Sequence, residues 1–167
     1  MKRIYFPAMI ATFLLFSTNR TEAQTSQIKL NQVELMKQFL GNWQIEMAGD
    51  TTQIDEYTAF RNAVIGSIKN IVKGKVIQSV KELWGYDEKS DKIVFAEVSD
   101  SSPNINLYAF WFTSKYTCEG VLYQDISNPE KATLKYKMEI KSSDVWVMKM
   151  LQNNKEITGL TFSRIKK

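Results

Sequence analysis

The chain is 167 residues long, about one domain by the usual range of ~100–200 residues per domain. Its 22 Lys and Arg stand against 18 Asp and Glu, and it has no histidine and one cysteine, Cys118. A lone cysteine cannot staple the fold internally. Without histidine, the commonest general base, the Ser-His-Asp and Cys-His catalytic arrangements and the usual zinc and haem ligand are all missing.

Lys2 and Arg3 precede a nearly uncharged apolar run from Ile4 to Phe16, and Thr21-Glu22-Ala23 ends in a small residue before Gln24. That order predicts a secretory signal peptide over residues 1–23, cleaved after Ala23. A membrane anchor would need ~20 consecutive apolar residues. This run is broken by Pro7 and ends at Ser17-Thr18-Asn19-Arg20. The expectation is an exported protein, periplasmic or secreted, with one domain over 24–167 and no transmembrane segment after cleavage. Cleavage removes three of the 22 basic residues and one of the 18 acidic ones, leaving a net charge of +2. Such a mixed, nearly neutral balance gives no electrostatic footprint for nucleic acid.

The mature chain opens with its only good helical stretch, Ser26 to Leu40, in which Val33, Met36, Phe39 and Leu40 form one apolar stripe. Asn31 can cap it, with Glu34 as the reciprocal partner of a capping box, and Gly41 stops it. Packed on a core, this stripe reads as a lid. After Gly41 the period changes to two. Trp43, Ile45 and Met47 alternate with polar neighbours up to a turn at Gly49-Asp50. Ala63 to Val72 and Val76 to Tyr86 flank a hairpin turn at Lys73-Gly74-Lys75, and the polar turn Asp87 to Asp91 leads into Ile93 to Val98. A break at Asp100 to Asn104, containing Pro103, precedes a strand over Ile105 to Thr113 and a short one over Glu119 to Gln124. The clearest strand runs from Ala132 to Lys141, with Leu134, Tyr136, Met138 and Ile140 on one face and Lys135, Lys137, Glu139 and Lys141 on the other. Val145 to Leu151 and Ile157 to Ile165 complete the series across a turn at Asn153-Asn154.

Short turns between strands, with no long helix to carry a parallel crossover, predict an all-β protein. The expected form is an antiparallel up-and-down barrel of about 8–10 strands, counted here as nine or ten, behind a short N-terminal helix. Cys118, in an apolar alternating segment, reads as a buried, inert thiol.

Gly41-Asn42-Trp43 opens the first strand, and Arg164 lies near the end of the last, in Leu160-Thr161-Phe162-Ser163-Arg164. This arrangement resembles the lipocalins and the wider calycin-type superfamily of ligand-carrying barrels. The resemblance implies a Gly-x-Trp start, with a late Arg packed across the indole at the closed end, so Trp43 and Arg164 are expected to close the barrel. The chain lacks a Thr-Asp-Tyr-like motif between middle strands, since Asp55-Glu56-Tyr57 comes too early, and it lacks the lipocalin disulfide. It is closer to the lipocalin-like domains of unknown function in exported bacterial proteins. Nitrobindin-type barrels share the shape but bind haem through a histidine, which this chain does not have.

Three strands carry aromatic or Met side chains on one face: Tyr108, Phe110 and Phe112; Trp146, Met148 and Met150; Tyr136 and Met138. Trp84 and Tyr86 can join them. A Met-rich lining adapts to irregular apolar ligands, so these residues are the candidate interior of a barrel that binds a small hydrophobic molecule. The same residues could equally fill a small core. Glu82 and Glu97 are the polar candidates. Pointing inward they would orient a ligand's polar head or act as an acid–base pair; pointing outward, the preferred reading, they are ordinary solvated positions. Lys149 raises the same question. No metal or cofactor site is predicted, because the Asp87 to Asp91 turn lacks the spacing of a calcium loop. Two further readings stand beside the binding barrel: a cavity enzyme (isomerase or hydrolase) built on inward Glu, Tyr or Lys, and an interaction domain with a large exposed aromatic patch.

Overall fold

The computed structural model describes residues 29–166, so the segment assigned to the signal peptide lies outside the described residues. Ten strands form one closed antiparallel barrel: β1 (Gly41–Met47), β2 (Thr51–Phe60), β3 (Ala63–Val72), β4 (Lys75–Asp87), β5 (Lys92–Ser99), β6 (Ser102–Phe112), β7 (Thr117–Leu122), β8 (Leu134–Ser142), β9 (Val145–Gln152) and β10 (Lys155–Arg164). Each pairs with the next, and β10 returns to β1, so the sheet has no free edge. Left-handed backbone at Gly49-Asp50, Lys73-Gly74 and Asn153-Asn154 marks three of the tight turns expected from the sequence.

The helix is shorter than the apolar stripe predicts. Lys29 and Leu30 are not helical, α1 covers Gln32–Met36, and a 3-10 turn follows over Lys37–Phe39. Asn31 does cap it, its Oδ1 accepting from the Glu34 N–H at 3.1 Å. The Glu34 side chain, however, accepts from Lys37 Nζ and does not reach back to the cap. Pro103 sits near the start of β6, where its missing N–H is tolerated, so the strand begins earlier than the predicted break allows.

The helix plugs one end of the barrel. Gln32 reaches across to Phe112, donating from Nε2 to its carbonyl at 3.1 Å and accepting its N–H at 2.7 Å. Below it, the buried Phe39 ring lies 5.0 Å from Trp146, 5.6 Å from Trp84 and 5.9 Å from Phe112, centroid to centroid. Such aromatic pairs contribute ~0.5–1.5 kcal/mol each beyond burial. Cys118 is buried, and burial pushes its thiol well above the ordinary range. On the outside, the exposed apolar side chains of β3–β6 are aliphatic: Ile65, Val76, Ile77, Leu83, Val98, Ile105 and Leu107.

The closing seam is short, with only Trp43↔Arg164 and Gln44↔Ser163 in register between β1 and β10. Side chains reinforce it. The Arg164 guanidinium lies 4.1 Å from the Trp43 ring centre, Nη1 donates to the Leu40 carbonyl at 2.8 Å, and Nε donates to the Ser143 carbonyl at 2.7 Å. Trp43 Nε1 donates to the Phe39 carbonyl at 2.7 Å, tying the plug to the same clasp. Gly41 is required beside it: its φ is +122°, and a Cβ there would occupy the space of Arg164 Nη1. Arg164→Ala should therefore cost about 2–3 kcal/mol, from the lost cation–π contact and two carbonyls left without a charged donor. Gly41→Ala should cost more than ~1 kcal/mol for its backbone strain alone. Because part of that cost is the collision with Arg164, it should shrink in the Arg164→Ala background, so urea unfolding of the double variant should be clearly sub-additive. Strict additivity would show that the two residues do not share the clasp.

Candidate functional site

Strand alternation aims a set of side chains inward above the plug, where they enclose a cavity of about 200 Å³. Its apolar wall comes from most of the strands. Trp84 of β4 stacks on Phe95 of β5 at 5.1 Å, and Phe95 stacks on Tyr108 and Phe110 of β6 at 4.7 and 5.2 Å. Tyr136 and Met138 of β8, Trp146, Met148 and Met150 of β9, and Leu160 and Phe162 of β10 complete it. The candidates Trp84, Tyr108, Phe110, Tyr136, Met138, Trp146, Met148 and Met150 thus face one space. Two others do not. Phe112 is buried against the plug, and Tyr86 is half-buried near the closed end, its hydroxyl donating to Asp91 Oδ1 at 2.6 Å. Both lie one pleat too far toward that end to reach the cavity.

The other side of the wall is acidic, which corrects the outward reading of Glu82 and Glu97. Glu82 is 8% exposed and Glu97 half-buried, and both line the cavity. The register explains why. Tyr57, Gly66, Glu82, Glu97 and Asn106 sit side by side on β2 to β6, all on the inward phase that β4 and β5 share with Trp84 and Phe95. A Cβ on Gly66 would come within 2.9 Å of Glu82 Oε2 and of the Tyr57 ring, so the glycine makes room for the two flanking side chains. Asn106, exposed although on an inward position, donates to Glu97 Oε1 at 3.0 Å and marks the open mouth. Lys149 points outward and pairs with Glu156 at 2.7 Å.

Three wall residues escape a reading based on apolar alternation: Gln53, Asp55 and Tyr57, all on β2. Asp55 is fully buried, accepting from Gln53 Nε2 at 2.8 Å and from the Tyr57 hydroxyl at 3.4 Å. Only the period-two spacing of Gln53, Asp55 and Tyr57 could have signalled them.

Burial sets the protonation of this wall. It pushes Asp55 up to about 6, against the lowering effect of the Gln53 and Tyr57 hydrogen bonds. It pushes Glu82 up to about 8, opposed by the bond from Trp84 Nε1 at 2.8 Å and assisted by the charges of Glu97 and Asp55. The Tyr57 hydroxyl rises through burial and then through the charges of Glu82 and Asp55. Tyr108 and Tyr136 rise through burial and then through the charge of Glu97. Among the described residues that line the cavity there is no Lys or Arg to neutralise these carboxyls. Trp146 Nε1, buried and part of the same wall, has no hydrogen-bond partner among the described residues.

A larger groove of about 680 Å³ lies outside the closed end, lined by Lys37, Trp43, Lys141 and Arg164 among others. It is the outer side of the clasp. Among the described residues no cluster of His, Cys, Asp and Glu could hold a metal ion. No family model matches the chain, and no curated protein matches it.

The raised carboxyls make stability depend on pH in a defined direction. Both bind protons more tightly folded than unfolded, so their contribution to stability is greatest below the ordinary carboxyl range. It should fall as pH rises toward about 8, by up to about 1.4 kcal/mol per pH unit for each group inside its window. Urea unfolding between pH 5 and 9 should show the decline, and Glu82→Gln should flatten the stretch between pH 6 and 8. An unchanged slope in that variant would mean that Glu82 ionises freely in the folded barrel.

Proposed function

We propose that this is an exported, lipocalin-like barrel that binds one compact, largely apolar molecule in its interior. The observation that carries the reading is the cavity of about 200 Å³ walled by aromatic and methionine side chains. A dry apolar cavity of about 150 Å³ is enough to hold benzene. The space here therefore suits a single ring with a short substituent better than a long acyl chain. Trp84, Phe95 and Tyr108, stacked on one another, supply an aromatic wall for such a ring, while Met138, Met148 and Met150 adapt to its outline. The basic-then-apolar N-terminal run supports export, and the Gly41-Asn42-Trp43 start clasped by Arg164 supports the lipocalin-like assignment.

A second reading, acid–base catalysis, is favoured by the placement of two buried carboxyls, Asp55 and Glu82, on the wall of one cavity. Asp55 and Glu82 have pKa values pushed apart within a single cavity, so that near neutral pH one is mostly ionised and the other mostly protonated. That is the arrangement by which a base and an acid divide a proton transfer. Under this reading Asp55→Asn would abolish turnover of a bound carbonyl compound while sparing its binding.

Binding is tested with benzene and indole. Either should raise the midpoint of thermal unfolding, by an amount equivalent to about 2.7 kcal/mol at a hundredfold excess over Kd. Leu160→Phe, which adds a ring to the wall, should abolish that shift while leaving the unliganded protein about as stable. A cavity that takes neither compound would overturn the proposal.

A further inference from the structure

Resting on the reading of the barrel as a binding protein, we infer that the cavity selects a cationic ligand: a compact aromatic amine whose ammonium group sits among Asp55, Glu82 and Glu97 while its ring lies against the aromatic wall. Glu82 and Glu97 lie directly beside each other on the neighbouring strands β4 and β5, and Asp55 reaches the same space from β2, across β3. The titratable groups facing Glu82 are Asp55 and Tyr57 from β2, Glu97 from β5 and Tyr108 from β6, and none of them is a cation.

Carboxylates opposed across neighbouring strands repel one another. A buried ionised carboxylate is also costly unless it is paired. This wall therefore has an unmet demand for positive charge, and no side chain within it supplies one. The ring faces of Trp84 and Tyr108 add attraction for the same ammonium, since an aromatic face favours a cation within ~6 Å. A neutral ligand would leave the carboxyls as they are, and an anionic ligand would worsen their repulsion.

A second and independent observation is that Trp146, a buried residue of the wall between this cavity and the groove at the closed end, has no acceptor for its Nε1 proton among the described residues. A hydroxyl at the end of the ring away from the amine can accept that proton. The resulting ligand class is a hydroxyaryl alkylamine.

Its binding is linked to protons in a fixed direction. An ammonium group favours the ionised carboxyls, so Glu82 and Asp55 release protons to the buffer as the complex forms. Affinity then rises with pH through the range in which they are still protonated.

Tyramine, 4-ethylphenol and 3-(4-hydroxyphenyl)propionate are nearly isosteric probes bearing a cation, no charge and an anion. Calorimetry at pH 7 should show tyramine binding at least tenfold tighter than 4-ethylphenol, and the propionate weaker than both. The heat should change between buffers of different ionisation enthalpy for tyramine only. Glu82→Gln, which keeps the size of the side chain and an acceptor for Trp84, should narrow the gap between tyramine and 4-ethylphenol and reduce proton release. Equal or tighter binding of the neutral or anionic probe would overturn the amine assignment while leaving the barrel a binding protein, as would benzene binding without tyramine binding. An unchanged gap in Glu82→Gln would likewise overturn the role given to the carboxyls. Should none of these three probes bind, and neither benzene nor indole, the binding reading falls as well.

Discussion

The seam between β1 and β10 is where this barrel could come open. Every other pair of adjacent strands runs in register for five residue pairs or more, whereas this one is held by Trp43↔Arg164 and Gln44↔Ser163 with a single extra bond, the Ile165 N–H to the Asn42 carbonyl at 2.9 Å. A seam that short exposes strand edges whenever it frays. The guanidinium of Arg164 compensates by doing three things at once. It covers the Trp43 indole, bonds the carbonyl that precedes β1, and bonds the β8–β9 turn. Since Trp43 in turn holds the Phe39 carbonyl, closure of the sheet and seating of the plug belong to one interaction network. The cavity depends on it, because the plug supplies Phe39, which packs against Trp84 and Trp146 to form the aromatic floor, and without it the barrel would be open to water at both ends.

The interior divides into two chemistries because of where register places each strand's inward phase. On β8, β9 and β10 that phase is apolar throughout the cavity. On β2 it is Gln53, Asp55 and Tyr57, and on β4 and β5 it passes from Trp84 and Phe95 at the centre to Glu82 and Glu97 toward the mouth. A shift of one residue anywhere in β4 would bring Lys81 and Leu83 inward and send both Glu82 and Trp84 to solvent. The bond from Trp84 Nε1 to Glu82 Oε2 helps to fix this phase, since it joins two inward residues of one strand into a rigid unit.

Much of this architecture was legible from sequence, and the misses share a cause. Turn chemistry located the hairpins at Gly49-Asp50, Lys73-Gly74 and Asn153-Asn154, because left-handed backbone at those positions favours Gly and Asn. The Trp43–Arg164 closure was legible only through the resemblance to lipocalin barrels, and the contact of indole with guanidinium gives that resemblance its physical basis. The strand over Thr51–Phe60 was not resolved as an element, because its inward residues Gln53 and Asp55 are polar while Ile54 lies on the opposite face. Apolar alternation, the main strand signal, is inverted there. The orientation of Glu82 was missed for a related reason. Its neighbour Leu83 is apolar yet exposed, so the strand offers both faces a hydrophobic candidate and the tie is broken only by register with Gly66 and Glu97. The helix was overextended because the stretch from Ser26 was read as helical although the Asn31 cap starts α1 at Gln32, and because an apolar stripe sets a packed face but not a length.

Three departures from ordinary strand design meet around one space in the barrel. Gly66 weakens the interior of β3, like-charged Glu82 and Glu97 face each other across β4 and β5, and β2 buries Asp55 where an apolar residue would serve packing better. Each alone would be a tolerable irregularity in a sheet of this size. Their coincidence around a single space is harder to explain by packing, because a core under selection for stability alone would relax at least one of them. Local rules fail together where a site imposes a competing demand. The rest of the barrel bears the cost through the aromatic plug and the Arg164 clasp. The strongest stabilising contacts therefore lie at the closed end and the most strained chemistry toward the mouth, the gradient expected of a scaffold that is rigid where it is sealed and receptive where it opens.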